Sequence, residues 1–285
     1  MPIELKNLTY TYCSGTAFES TAVGDVSLKI EDGEFIGLMG HTGCGKSTLI
    51  QLMAGLLTPR SGQVLLDGED INTRRYDRRK LRSRVGVVFQ YPEYQLFETT
   101  VEKDVTFSLK HSGMSGGEKK KAAADALEKV GFDFEKIADK SPLEFSGGEK
   151  RRIAIAGVLA AKPGILILDE PIAGLDPLGR KAFLDMVEAL SREGVTIIMI
   201  SHNADALAEY ASRIIAMEDG HVLKDGTVEE IFSDTELLGG KKIGVPQSCR
   251  TAELLRQRGV DIPVSAVRYE QLIDAVAARY GRCGK

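Results

Sequence analysis

Four short stretches of the chain carry almost no polar side chain: Phe35 to Met39, Val85 to Phe89, Ile165 to Leu168 and Thr196 to Ile200. A strand that is apolar at nearly every position is covered on both faces, so these runs predict the buried strands of a parallel sheet. Between them, Lys46 to Leu57, Lys150 to Ala161 and Gly179 to Glu193 repeat apolar positions at helical spacing. Strands alternating with helices predict an α/β layered core, and open sheets of that kind bind ligands where the strands end. Near the N-terminus, Leu8, Tyr10 and Tyr12 fall on one face of an alternating strand. From Tyr91 to Pro142 no buried run recurs, which predicts a mainly helical insertion. After about Thr235, Gly239-Gly240-Lys241-Lys242 reads as a linker to a small C-terminal region, where Tyr269, Leu272, Ile273, Val276 and Tyr280 approximate one helical face. The longest apolar stretches, such as Ile153 to Ala161, fall short of the roughly 18 residues that cross a bilayer, so any membrane role is expected to come from partners.

Composition narrows the function classes. With 285 residues, 43% of them apolar, the chain has material for one large domain with a small appendage. A net charge of −4 argues against a nucleic-acid partner, because phosphate neutralisation requires a basic face. Arg74, Arg75, Arg78, Arg79, Lys80, Arg82 and Arg84 form a basic run; as the overall charge is acidic and the run leads straight into a buried strand, it reads as a solvated helical face. Cys13, Cys44, Cys249 and Cys283 are scattered without a C-x-x-C pair or a signal peptide, so reduced thiols are expected rather than a zinc site or disulfides.

Candidate chemistry sits at the strand ends. Gly40-His41-Thr42-Gly43-Cys44-Gly45-Lys46-Ser47-Thr48 follows one buried strand and opens a helix, the context a phosphate-binding loop requires. Its glycines let the backbone curl tightly enough to aim several N–H groups at phosphate oxygens, and the helix adds its positive dipole end. Lys46 is expected to reach the β- and γ-phosphates, Ser47 to ligate Mg²⁺, and the Cys44 thiol to lie beside the nucleotide. Ile165 to Leu168 then delivers Asp169 and Glu170 at a strand end. Asp169 is placed to hold the Mg²⁺ shell, and Glu170 to accept a hydrogen bond from the water attacking the γ-phosphate.

Kinases and GTPases share those two elements; the segments between and after them separate the classes. Phe145-Ser146-Gly147-Gly148-Glu149-Lys150-Arg151-Arg152 resembles the signature motif of ABC ATPases. Gln90 resembles the Q-loop, Ala173-Gly174-Leu175-Asp176 the D-loop, and His202 the switch histidine. Over about the first 235 residues the chain is thus similar to an ABC-type nucleotide-binding domain. The resemblance implies a P-loop NTPase fold with a RecA-like parallel-sheet core, an antiparallel β subdomain and a helical subdomain. It sets an ATPase domain over 1–234, with about 91–158 inserted in it, and a dimer-stabilising extension over 235–285. It further implies that Ser146, Gly147, Gly148 and Glu149 act on the ATP of a partner subunit. Gln90 would touch Mg²⁺, His202 would orient the γ-phosphate and water, and Tyr12, with Tyr10 as the alternative, would stack on adenine.

Gln90-Tyr91-Pro92-Glu93-Tyr94-Gln95-Leu96-Phe97, with Thr100 to Phe107, resembles the ATPases of energy-coupling factor (ECF) importers. Gly15-Thr16-Ala17-Phe18 and Pro171 to Pro177 are closer to the second of their two paralogues. That resemblance implies a heterodimer with a paralogous ATPase in preference to a homodimer, a transmembrane coupling protein met by Tyr94, Leu96 and Phe97, and a small membrane protein that binds a vitamin or a transition-metal ion. The chain itself would lie at the cytoplasmic face of the cell membrane. Another ABC transporter branch is the main rival; the long coiled coils of DNA-repair ABC ATPases are missing between Gln90 and Ser146. A second signature-like run, Met114-Ser115-Gly116-Gly117-Glu118-Lys119, lies too close to Gln90 and reads as a helix cap.

Overall fold

The computed structural model describes residues 2–234, 238, 240–241 and 243–281. In chain order the elements are β1 (Ile3–Tyr12), β2 (Ser20–Ile30), β3 (Phe35–Met39), α1 (Lys46–Met53), β4 (Ser61–Leu66), β5 (Glu69–Asp70), α2 (Arg78–Arg84), β6 (Val85–Val88), α3 (Val101–Phe107), α4 (Gly116–Lys129), α5 (Phe134–Ile137) and α6 (Gly147–Leu159). There follow β7 (Ile165–Asp169), α7 (Pro177–Arg192), β8 (Thr196–Ile200), α8 (Ala204–Tyr210), β9 (Arg213–Glu218), β10 (His221–Thr227), α9 (Val228–Phe232), α10 (Gln247–Gln257) and α11 (Tyr269–Tyr280), with 3-10 turns at Pro92–Gln95 and Pro142–Glu144.

The four apolar runs are neighbours in one sheet of order β10-β9-β3-β8-β7-β6, parallel throughout except for the β9–β10 hairpin. Their unbroken hydrophobicity has a direct cause. Along β7, Leu166 and Leu168 enter one core while Ile165 and Ile167 enter another, and β8 divides the same way, with Ile197 and Met199 against Ile198 and Ile200. The first core is closed by the helical layer and the second by α1 and an antiparallel sheet of order β2-β1-β4-β5. Only a strand covered on both faces by apolar layers can omit polar residues at every register position.

From Tyr91 to Leu159 the chain forms only helices, turns and loops. Helix ends differ from the sequence reading in ways that local chemistry explains. α1 stops at Met53 because Gly55 turns left-handed (φ 66°) and its amide returns to the Leu52 carbonyl at 3.0 Å. α6 starts at Gly147, three residues before Lys150, because Ser146 caps it. In α2 only Leu81 is buried, so its arginines do form a solvated face, and Asp77 caps the helix.

Thr235, Gly239 and Lys242 of the expected linker lie outside the described residues, as does Cys283. On either side of them the chain is anchored: Leu238 and Ile243 are buried in the main core, and Lys241 pairs with Glu218 at 3.0 Å. Farther on, the Gln247 amide donates to Asp205 at 2.7 Å and Arg268 donates to the Ala208 carbonyl at 2.9 Å. The expected face of α11 divides. Leu272 and Val276 join a small core with Ala252, Ile262 and Ala266, whereas Tyr269, Ile273 and Tyr280 point to solvent.

Candidate nucleotide-binding site

β3 lies between β8 and β9, with β7 one strand farther, so the chain leaving β3, β7 and β8 meets along one edge of the sheet. The loop after β3 is a curl with Gly40, Gly43 and Gly45 all at positive φ. At two of these positions no other residue fits: a Cβ on Gly45 would lie 2.1 Å from the Ala22 carbonyl oxygen, and one on Gly40 would lie 2.4 Å from that of Met217. The turn between β9 and β10 braces the curl, because the Gly220 amide donates to the Cys44 carbonyl at 3.1 Å. His41 Nε2 lies 3.3 Å from Asp219 in the same turn. Lys46 is buried, and its ammonium donates to the Gly40 and His41 carbonyls at 2.8 and 2.9 Å, which centres a positive charge within the loop. Thr42, Gly43 and Ser47 face solvent at the mouth, whereas Thr48 is buried.

A cavity of about 310 Å³ is lined by Gly43, Gly45, Lys46, Ser47 and Thr48, by Ser20 to Ala22, and by Tyr12. Tyr12 is exposed, and its hydroxyl lies 3.2 Å from the Thr48 hydroxyl. Tyr10 meets Tyr12 edge to face at 4.9 Å but packs against the core under the antiparallel sheet. Bulges after Leu8 and Tyr10 break the strict alternation of β1, which is why the two tyrosines are not equivalent. One expectation is corrected. The Cys44 thiol does not lie at the mouth: the residue is 1% exposed and belongs to the core beneath the loop. Its amide donates to the His41 carbonyl and its own carbonyl accepts from Gly220, so closing the curl turns this position inward, toward Gly40.

Asp169 ends β7 opposite Ile200, with Ser47 beside its carboxyl. Burial raises its carboxyl above the ordinary range, with Ser47, Lys46 and His202 offsetting part of the effect. Glu170 follows in the left-handed region (φ 46°), a strained backbone for a residue with a side chain, and its amide donates to the Ile200 carbonyl at 3.1 Å. Its carboxyl is pushed up to about 7, first by burial and then by the charge of Asp169. Its Oε1 is buried with no hydrogen-bond partner among the described residues, and His202 Nε2 is 3.6 Å away. Burial and Lys46 lower the pKa of His202, which favours the neutral imidazole. Gln90 lies exposed two residues beyond β6, whose Val88 pairs with Leu168, and so stands on the same edge. The set is two carboxylates, one poised near neutrality, a neutral imidazole and a buried ammonium around a phosphate-shaped curl.

Ser146, Gly147 and Gly148 do not join it. They stand exposed at the start of α6, where the Ser146 side chain accepts from the Glu149 amide and the Glu149 carboxylate accepts from the Ser146 amide and hydroxyl, lowering the Glu149 pKa. Nothing lies within 4 Å of where a Cβ on either glycine would be, so the helix end is open to an approaching partner. Asp176 caps α7 through the Gly179 amide at 2.8 Å and is likewise exposed. Ser115 and Glu118 build the same capping box on α4, so local hydrogen bonding does not distinguish the second signature-like run from the first.

The family model described as "ABC transporter" matches residues 23–173. Proteins named "Energy-coupling factor transporter ATP-binding protein EcfA2" are similar along nearly the whole chain: one from Clostridium perfringens is 44% identical over 97% of each chain, and one from Symbiobacterium thermophilum is 47% identical over 97% of this chain and 96% of its own. The chain belongs to the ABC transporter family, among the ATP-binding proteins of energy-coupling factor transporters. Among solved structures it is similar to cbiO1 from Clostridium perfringens, described as part of the ABC transporter complex cbiONQ, at a TM-score of 0.74 and 35% identity over 89% of this chain and 98% of that one. A dimeric structure of the cassette MJ0796 bound to ADP and Pi superposes at a TM-score of 0.69, with 31% identity over 79% of this chain and 98% of that one. The protein is therefore an ABC-type ATPase that binds ATP.

Three residues of this ABC domain escape motif reading. Arg151 appears in sequence as one more cation of the signature run, and Glu93 as one more acid near Gln90, yet they form a buried pair. Asp104, also buried, accepts from the Glu98 amide at 2.8 Å and holds the loop that carries Phe97. Within that loop Tyr94 and Phe97 are exposed, whereas Leu96 is half-buried and packs against the core.

Proposed function

We propose that this ATPase energises an ECF-type importer, pairing head to tail with a second ATPase subunit and driving uptake of a vitamin or a transition-metal ion through a transmembrane coupling protein. The observation that carries the reading is the division of the motif residues. Lys46, Asp169, Glu170 and His202 gather along one edge of the parallel sheet, while Ser146 to Gly148 form an open helix start elsewhere. A helix end with free amides and no partner in its own chain suits the γ-phosphate held by another subunit.

In this reading the amides of the 40–48 curl bind the phosphates, Lys46 turns from the Gly40 and His41 carbonyls to the β- and γ-phosphates, and Tyr12 stacks on adenine. The placement of Ser47 beside the Asp169 carboxyl suits a small divalent cation at that point, and Gln90 stands within the same edge. Mg²⁺ bound there would neutralise phosphate charge. Glu170 orients and deprotonates the attacking water with the carboxylate oxygen that no protein group occupies, while His202 fixes the γ-phosphate side of that water. Glu149 holds Ser146 in its capping rotamer, and Asp176 positions the segment that faces the other subunit.

The ATPase domain spans 1–234 with its helical part over about 91–158, and the 235–285 extension steadies the pair through the outward Tyr269, Ile273 and Tyr280. The chain sits at the cytoplasmic face of the cell membrane without a nucleic-acid partner. Among the described residues no helix is long and apolar enough to cross a membrane. Similarity to proteins of the EcfA2 name favours a paralogue over a second copy as partner. Copurification from native membranes tests this: a paralogous ATPase with two small membrane proteins is expected, and one large polytopic permease would refute it. Exposed Phe97, edge to face with Phe107 at 4.8 Å, should meet the coupling protein, so Phe97→Ala should spare ATP hydrolysis yet lower transport. Unaltered transport would remove that contact from the account.

A further inference from the structure

We infer that Arg151 is a positioning residue that couples the two ATP sites of the closed pair, because one buried guanidinium ties the signature helix to the Gln90 loop and to the backbone between Glu170 and Asp176. The inference rests on the composite-site reading above. Arg151 is 5% exposed, one turn into α6. Its Nε and Nη2 donate to the two oxygens of Glu93, each at 3.0 Å, in a planar fork. Its Nη1 donates to the Ala173 carbonyl at 2.7 Å and to that of Pro171 at 3.3 Å. The guanidinium also faces the ring of Tyr91 at 5.8 Å, and Tyr91 itself is held in the left-handed region at φ 56°.

Each tied segment has its other end at a reacting group. Glu93 lies three residues from Gln90, Pro171 follows Glu170, and Ser146 caps α6. A bidentate carboxylate–guanidinium contact resists sliding and rotation in a way that a single ammonium contact does not. When γ-phosphate or its loss moves Gln90, the 91–95 turn moves Glu93. Arg151 then shifts with it, and Ser146, roughly 7 Å away along a short helix, shifts too. Ser146 addresses the other subunit's ATP, so the state of one site is written onto the second. Stability alone does not call for this pair, since a buried ion pair exchanged for apolar residues of similar volume often leaves stability unchanged.

That exchange supplies the test. In the assembled ATPase pair with its membrane partners, the double variant Glu93→Met and Arg151→Met is compared with the parent and with Arg151→Lys. Fluorescent-ATP affinity of the free double variant should stay within about twofold of the parent, and its melting temperature should be preserved. Turnover at saturating MgATP should fall about tenfold or more in the double variant, with the Hill coefficient for ATP falling to one and Arg151→Lys lying between. Parental turnover and Hill coefficient in the double variant would overturn the inference. So would a loss of turnover that merely follows a lowered melting temperature with the Hill coefficient intact. A parent complex that hydrolyses ATP without cooperativity would instead overturn the composite-site reading beneath it.

Discussion

Glu170→Gln should make the protein slower and, at alkaline pH, more stable, and the two effects share a cause. The Glu170 carboxyl is pushed from an ordinary 4.5 up to about 7 by burial and by Asp169 beside it. A raised acid pKa means that the folded chain holds this proton more tightly than the unfolded chain does. Below about pH 4.5 both states are protonated and the group contributes nothing to the pH dependence. Between pH 4.5 and 7 the unfolded state ionises first and folding stability declines; above pH 7 the penalty is complete, at about 3 kcal/mol from the difference between the two values. The side chain is only 17% exposed, so solvent screens little of it. Glutamine keeps the shape of the side chain but never carries the charge. The nucleotide-free variant should therefore melt roughly 5–10 °C above the parent at pH 8 and lose that advantage as the pH falls toward 5. Steady-state phosphate release by the same variant should drop roughly 10²- to 10⁴-fold, the reach of a general base, with ATP binding retained. In the parent, kcat/KM should rise about tenfold from pH 6 to pH 8 as Glu170 ionises. A melting offset equal at pH 5 and pH 8 would mean that packing, not the buried charge, sets it. Turnover within a few-fold of the parent would remove Glu170 from the role of base.

Further expectations concern the nucleotide loop. Lys46→Ala should weaken fluorescent-ATP binding roughly 10- to 100-fold, the worth of a charge-assisted contact in a buried loop, and unchanged affinity would refute the placement of its ammonium. Tyr12→Ala should raise the Kd for ATP about five- to tenfold with Tyr12→Phe near the parent, whereas Tyr10→Ala should chiefly lower the melting temperature because Tyr10 packs against the core. Peptide mapping after maleimide treatment of the native chain should find exposed Cys13 labelled and buried Cys44 unlabelled, with or without MgATP. Rapid Cys44 labelling would show that the loop opens in solution.

Much of the site is legible in the sequence because its chemistry is local. Gly40, Gly45, Lys46 and Ser47 owe their roles to a nine-residue curl, and Asp169 with Glu170 to the end of one strand, so spacing along the chain equals spacing in space. The alternation of β1 misleads at Tyr10 and Tyr12 because bulges reset it, and a bulge has no fixed sequence signature. The Cys44 thiol is misplaced for a similar reason. Which way a loop side chain points depends on what the curl rests against, here Met217 and Gly220 from strands far along the chain.

Hydrophobic period was enough to read the fold class, and short-range spacing to place the 40–48 curl and the Asp169–Glu170 pair at strand ends. It takes the packing of distant segments to bury Arg151, outwardly a surface cation, on Glu93, to turn Leu96 toward the core while Phe97 faces out, and to anchor Leu238 and Ile243 of the C-terminal region in the main core. Burial is a property of what packs around a residue, and those neighbours are contributed by segments from far along the chain. No local pattern records them. Ser146 marks the limit of both sources: its cap is written in four consecutive residues, and the open space in front of it appears only in the fold.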